Sequence, residues 1–278
     1  MFVRAVLLTF VLCMWLSAAF LYAEEHKKSQ VVIGGTGSAI GSIKELAGAF
    51  EKINPDVIIK VLPSIGSGGG IKAAIECIID IGISSRPLTG DELKQGAEAE
   101  EYAWTPFVFV TSHKIDGFDF DIRKIAAIYA GEIIKWPGGI PIRLVLRPES
   151  DSDILTLRGI SPGMDKAVRK AMLQEGMIIA PTDQESARDV EQISGSLGTS
   201  TLSLVLSEKR RVNVLPLNGV APGVKTLADG TYPYYKRQFL VTGPRAAPAA
   251  KKFIEFVKSV EGHAILAGTG HLPVSGKK

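Results

Sequence analysis

The chain has 278 residues, 46% of them hydrophobic and 22% charged. That is enough for one large domain or two modest ones, and it excludes a disordered or collagen-like polymer. A formal charge of +3 is too small to mark a nucleic-acid partner, and the basic cluster Lys209-Arg210-Arg211 reads as solvated surface.

In chain order, Met1-Phe2-Val3-Arg4 carries one positive charge, and Ala5 to Phe20 is almost uninterrupted apolar sequence. This is the pattern of a signal peptide, so residues 1–23 are expected to be a leader cut after Ala23 and the protein to be periplasmic or otherwise extracytoplasmic. A retained anchor is the alternative, because Leu21 is not the small residue preferred at the third position before the cut. Removing the leader takes away Arg4 and Cys13. Cys77 is then left without a disulfide partner and, within Ile75-Glu76-Cys77-Ile78-Ile79, is expected to be a small buried hydrophobe.

Past the leader, apolar runs bounded by turn residues alternate with amphipathic stretches. Strands are expected at Val31-Ile33, Val57-Leu62, Ile79-Ile83, Trp104-Ser112, Pro141-Leu146, Val212-Leu217 and Arg237-Thr242. Helices are expected at Ser42-Lys52, Phe120-Tyr129, Pro162-Gln174, Asp183-Gln192 and Pro248-Val260, with another beginning near Ile71. Ile193-Thr199 reads as a glycine and serine turn. The alternation predicts an α/β fold with mixed sheets flanked by helices, in which ligands gather at the carboxyl ends of strands. With no repeat and no long linker, two lobes joined by short crossings near Thr111-Asp116 and Thr231-Lys236 are expected, which divides the chain into residues 24–112 with 232–278 and residues 113–231.

The turns carry the chemistry. After the first strand, Gly34, Gly35 and Gly37 permit close approach to the main chain, while the following helix N-terminus with Thr36 and Ser38 offers N–H and hydroxyl donors. A plain helix cap with glycines for packing explains this one stretch equally well. The arrangement then recurs: Pro63-Ser64-Ile65-Gly66-Ser67-Gly68-Gly69-Gly70 follows the second strand, and Ile83-Ser84-Ser85-Arg86-Pro87 follows the third, adding a guanidinium suited to an oxyanion. Arg147 with Ser150 and Ser152 supplies a fourth donor group from the other lobe, so the lobes could close on one small anion.

Competing motifs fail on spacing. Gly35-Thr36-Gly37-Ser38-Ala39-Ile40-Gly41 is one residue too long for a dinucleotide fingerprint, and no Gly-Lys-Ser/Thr follows it. Neither Ser67 nor Ser196 has the glycine two places upstream that a hydrolase elbow needs. His26, His113, His263 and His271 lie far apart and outside the turns, each expected at the surface or in a loop, so neither a metal nor a general base is expected. Trp104 and Trp136 are expected to pack in cores.

The four turns taken together resemble the phosphate-binding proteins of bacterial and archaeal ABC phosphate importers, within the type II periplasmic-binding-protein fold. The similarity extends to Asp80-Ile81-Gly82-Ile83-Ser84-Ser85-Arg86-Pro87-Leu88, Ile128-Tyr129-Ala130-Gly131-Glu132-Ile133-Ile134-Lys135-Trp136, Tyr232-Pro233-Tyr234, Phe253-Ile254-Glu255-Phe256-Val257-Lys258-Ser259 and Gly270-His271-Leu272-Pro273-Val274. It implies a ligand cleft between two lobes, no cofactor, no enzymatic step, a monomer and a membrane permease partner. By this resemblance the anion is held by Thr36, Gly37 and Ser38, by Ser67 with Gly68, by Ser84, Ser85 and Arg86, and by Arg147 and Ser150, with Ser152 beside them.

The chain departs from the family in two places. In the Arg147 segment Asp151 stands where a glycine is expected and Ser152 where a threonine is, and Ser85 stands where the best-known members carry an aspartate that accepts the proton of phosphate. Asp151 or Asp153 is expected either to replace that acceptor or to point to water. Phosphate is the leading ligand, with sulfate, molybdate, tungstate or a small organic phosphate as alternatives. A sensor or interaction protein on the same fold and a phosphate-ester hydrolase are the competing functions.

Overall fold

The structure is a computed structural model that describes residues 28–274; the expected leader and its cleavage point lie outside the described residues. Its first half comprises β1 (Ser29–Gly35), a 3-10 turn (Gly37–Ala39), α1 (Ile40–Ile53), β2 (Val57–Val61), α2 (Gly66–Ile75), β3 (Ile81–Ser84), α3 (Gly90–Lys94) and β4 (Glu98–Thr111). α1 forms because Ile40, Ile43, Leu46, Ala47 and Phe50 recur at helical spacing and bury one face. β2 and β3 flank β1 in parallel, so Gly35 lies opposite Ile83 and the carboxyl ends of β1 and β3 stand side by side.

The second half continues with α4 (Ile122–Tyr129), β5 (Arg143–Leu146), α5 (Ser152–Gly159), α6 (Pro162–Met172), β6 (Ile178–Ile179), α7 (Asp183–Gln192), β7 (Ser196–Thr201), α8 (Leu202–Ser207), β8 (Asn213–Val214) and α9 (Val224–Ala228). The chain then returns through β9 (Tyr235–Thr242), α10 (Pro248–Val257), α11 (Val260–Gly268) and β10 (Leu272–Pro273). Strands follow the path β2-β1-β3-β9-β4-β7-β5-β6, with β8 and β10 also on β4. The fold is thus mixed α/β with flanking helices. Among the described residues no helix is long and apolar enough to cross a membrane.

One strand serves both halves. Glu98 to Pro106 of β4 pair with β9, and Phe107 to Thr111 pair with β7. Within this one 14-residue strand the pairing thus passes from β9 to β7 between Pro106 and Phe107. The return lies at Tyr234 and Tyr235, where Phe107 N–H donates to Tyr234 C=O at 3.0 Å. Each half has its own core. Ile33, Ile43, Phe50, Phe253 and Val257 cluster in the first, with Phe50 and Phe253 edge to face at 5.5 Å; Phe107, Phe109, Tyr129, Trp136, Met164 and Val168 cluster in the second.

Several local expectations change. Of Ile193-Thr199 only the first three residues turn: Ser196–Thr201 is a fully buried strand between β4 and β5. Its small residues admit α7, since a Cβ on Gly198 would stand 2.6 Å from Val190 Cγ2. The glycines after Ser64 are likewise helical, α2 starting at Gly66 rather than near Ile71. Gly70 lets that helix sit on β1, where a Cβ would meet Gly35 Cα at 2.6 Å. Cys77 is exposed, in a left-handed conformation (φ 55°) just past α2, because the chain reverses there. His271 is fully buried against Tyr102 and not at the surface, and burial pushes its imidazole down to about 3. Trp136 is buried as expected, while Trp104 is partly exposed and stacks on Tyr235 at 4.8 Å.

The contact of α2 with β1 is directly testable: Gly70→Ala should destabilise the protein by roughly 1–3 kcal/mol through overpacking, read as a lowered melting temperature, whereas Gly68→Ala, with open space at its Cβ position, should not.

Candidate functional site

Where β1 and β3 end, their turns share hydrogen bonds. Thr36 N–H donates to Ile83 C=O at 2.9 Å, and Thr36, Ser38 and Ser85 form a buried hydroxyl cluster, with Thr36 Oγ1 3.1 Å and Ser85 Oγ 2.8 Å from Ser38 Oγ. Gln238 on β9 joins it, its Oε1 accepting from Ser85 Oγ at 3.3 Å. Ser67, in the first turn of α2, accepts the Ser85 N–H at 3.0 Å, which leaves its own hydroxyl proton free to donate.

A cleft of about 530 Å³ opens beside these turns. Ser64, Ser67, Gly68 and Arg86 line it from the first half, and Ser150, Asp151, Ser152 and Thr182 from the second. Ser150 is exposed in its wall. Thr36, Gly37, Ser38, Ser85 and Arg147 are buried rather than lining. Ser84 turns away, its hydroxyl donating to Arg86 C=O at 2.7 Å.

Arg86 is not an unengaged clamp. Its terminal nitrogens donate to Glu92 at 2.9 and 2.7 Å, and that pairing holds the Glu92 carboxyl down at about 2. Arg147 is 1% exposed and donates to Ala180 C=O at 2.6 Å and to Asp151 at 2.8 Å, with Nε unpaired. Asp151 also caps α5, accepting Asp153 N–H at 2.8 Å, so its carboxylate replaces the flexibility of a glycine with a fixed turn. Asp153 does not point to water either. It is 2% exposed and accepts from Thr199 Oγ1 at 2.9 Å and from Lys236 Nζ. Burial would raise this carboxyl, but Lys236 and Arg147 outweigh it and hold it below the ordinary range. Lys236 also donates to Ser152 Oγ at 2.7 Å, leaving the Ser152 proton free to donate.

Three residues escape the reading of local sequence: Asp183, Lys236 and Gln238. Asp183 opens α7 and reaches across to accept the Gly37 N–H at 3.0 Å, while its neighbour Gln184 donates to Gly37 C=O at 3.0 Å. Only glycine fits between them, since a Cβ at Gly37 would lie 2.3 Å from Gln184 Oε1 and 2.7 Å from Asp183 Oδ2. The local signal at this place is a capping box formed by Thr182 and Glu185, which accounts for those two residues and leaves Asp183 without a role in its own helix. Burial, then the nearby Asp153, push the Asp183 carboxyl up to about 6 against the pull of Arg147.

Two halves whose strand-end turns converge on a polar cleft define a binding protein of the kind that closes on a small solute. The match to the PBP superfamily domain runs over residues 22–261, and the chain belongs to that superfamily. It is 25% identical over 273 residues to the phosphate-binding protein PstS of Borreliella burgdorferi, covering 95% of this chain and 98% of the relative. Against the phosphate-binding protein PstS of Bacillus subtilis the identity is 27%, over 92% of this chain and 84% of the relative. A Clostridium perfringens protein solved with bound phosphate superposes with a TM-score of 0.76 at 26% identity, covering 88% of this chain and all of that one. An ABC-type phosphate transport receptor from Vibrio cholerae shares the fold at 18% identity and a TM-score of 0.62, covering 87% of this chain and 99% of that one.

Because the folded-state value of Asp183 lies above its unfolded value, the native chain binds more protons than the unfolded chain between about pH 4 and pH 6, and stability falls as pH rises through that window. Asp183→Asn should therefore raise stability at neutral pH by roughly 1–3 kcal/mol, a gain that shrinks as the pH is lowered below about 6 in chemical denaturation. Lys236→Met, which strands Asp153, should instead destabilise by about 3–5 kcal/mol.

Proposed function

We propose that the chain is an extracytoplasmic substrate-binding protein that captures inorganic phosphate in the cleft between its halves and delivers it to a membrane ABC permease. The halves are residues 28–106 with 235–274 and residues 107–234. The observation that carries this reading is the set of donors from both halves that remain available at the cleft. The hydroxyl protons of Ser67 and Ser152, both in the cleft lining, are freed by what their oxygens accept, and behind the lining the buried Arg147 Nε has no acceptor among the described residues. Similarity over nearly the full length to proteins named for phosphate binding supports the choice of anion.

Capture on this reading involves no bond making, and the chain acts as a single copy with neither cofactor nor metal. An anion contacted from both sides stabilises the closed arrangement, and loss of those contacts allows the halves to part about the two strand crossings. Thr36, Gly37, Ser38, Ser67, Gly68, Ser85, Arg147, Ser150 and Ser152 are the proposed site, with Asp151, Asp153 and Lys236 holding Arg147 and Ser152 in place. Arg86 contributes a paired charge at the rim. Another tetrahedral oxyanion such as sulfate is the second reading, favoured by Ser85 at the end of β3, which offers no carboxylate to accept an anion's proton.

Titration calorimetry on protein washed free of anions should give tighter binding of phosphate than of sulfate or molybdate. Ser67→Ala and Ser152→Ala should each weaken phosphate by about tenfold, the scale of one hydrogen bond to a charged group. Arg86→Ala should change it less, because Glu92 already takes that guanidinium. Full affinity in both serine variants would remove this site.

A further inference from the structure

Three cations of the second half face a groove apart from the cleft. Arg123 on α4, with Lys166 and Lys170 on α6, line a hollow of about 370 Å³ whose remaining lining is alanine and glycine apart from Glu132. Positive charge is in excess there. α4 carries no acid, and Asp165, the only acid of α6, is taken by Arg158 and Arg169. The Lys170 ammonium meets a carbonyl instead, the Ala130 C=O at 2.6 Å.

The row of cations runs into apolar side chains. Lys166, Lys170 and Leu173 follow one another at four and three positions, which puts them on one face of α6, and Leu173 is 88% exposed. Ile134, 62% exposed, stands on the neighbouring turn. The two turns touch, since a Cβ on Gly131 would lie 3.4 Å from Gln174 Nε2. A single exposed leucine calls for no explanation. Leu173 and Ile134 are the two most exposed large aliphatic side chains among the described residues of this half, and they lie together beside cations that the acids of their own helices do not satisfy.

We propose that this end of the second half rests on an anionic lipid surface, with Leu173 and Ile134 entering the headgroup region and Arg123, Lys166 and Lys170 meeting lipid phosphates. Aliphatic side chains bordered by cations are the make-up of a membrane-interface face. Ile142 N–H donates to Ile134 C=O at 2.9 Å, so Ile134 stands at the amino end of β5, whereas Arg147 and the cleft follow its carboxyl end. A chain held this way is concentrated at the membrane with its cleft clear of the bilayer. The proposal goes beyond phosphate capture and does not depend on it.

The test mixes the exported protein, in its processed form, with vesicles of phosphatidylcholine alone or of phosphatidylcholine with phosphatidylglycerol, and reads binding by sedimentation at low salt. Binding is expected to the anionic vesicles only, and it should weaken as salt is raised. Arg123→Gln with Lys166→Gln should lower partitioning by about twentyfold, at about fivefold per cation, and Leu173→Ser by about tenfold. All three positions are exposed, and an unchanged melting temperature and phosphate affinity show that the variants fold. Equal binding to the two compositions, binding to neither, or an unaltered partition in either variant overturns the proposal. Binding to polyglutamate but to neither vesicle makes the partner an acidic protein and overturns the lipid assignment, as does release from vesicles by inorganic phosphate at constant ionic strength. Should a variant not fold, the wild-type chain decides by its vesicle preference and salt dependence.

Discussion

Lys236 and Asp153 form an ion pair in which the side chains keep 1% and 2% of their surface. Removing two charges from water costs several kcal/mol per ion, and attraction offsets this only where the remaining hydrogen-bonding capacity is filled. Here two further hydroxyls join the pair, one on each charge. Lys236 lies on β9 opposite Thr105 of β4, in the stretch where the chain changes sheets; Asp153 lies in the first turn of α5; Thr199 comes from β7; and Ser152 takes another proton of the ammonium group. Any movement that separated the two side chains would strand a charge. The pair therefore fixes where the Arg147-Ser152 segment stands relative to the strand crossings, and the cleft takes its shape from that.

Close backbone packing supplies the second constraint. Gly35, Gly70 and Gly82 lie against one another, Gly82 meeting the Gly70 carbonyl so closely that a Cβ would stand 2.7 Å from it. That proximity brings the start of α2 and Ser67 beside the ends of β1 and β3. The glycine-rich segments thus serve packing first, and their donors reach the cleft because the packing is tight. Gly37 works differently, held between Asp183 and Gln184 of the opposite half.

Much of this architecture was legible in the sequence where local physics decides. The α1 stripe, the boundaries of α7, and the strands from Val31 and Val57 follow from apolar periodicity and caps, and they agree closely with the structure. Where composition and burial conflict, local reading failed: Ser196–Thr201 carries turn-forming residues yet forms a central strand, because α7 lies too close for anything larger at Gly198. Arg86 illustrates the limit for sites. Its residue type and place suggest a clamp, but whether a guanidinium is available depends on Glu92, and the cap of α3 brings that carboxylate to it.

By itself the sequence determined the alternating elements, the recurrence of hydroxyl and glycine turns at strand ends, and through them the fold class, because periodicity and turn chemistry act over a few residues. Tertiary structure decided the electrostatics. Asp183 meets Gly37 across 146 positions and Lys236 meets Asp153 across 83, so neither contact leaves a trace in local pattern. The ionisation of a buried carboxylate is set by which charges surround it and how far water is excluded, and both exist only once the two halves have folded against each other.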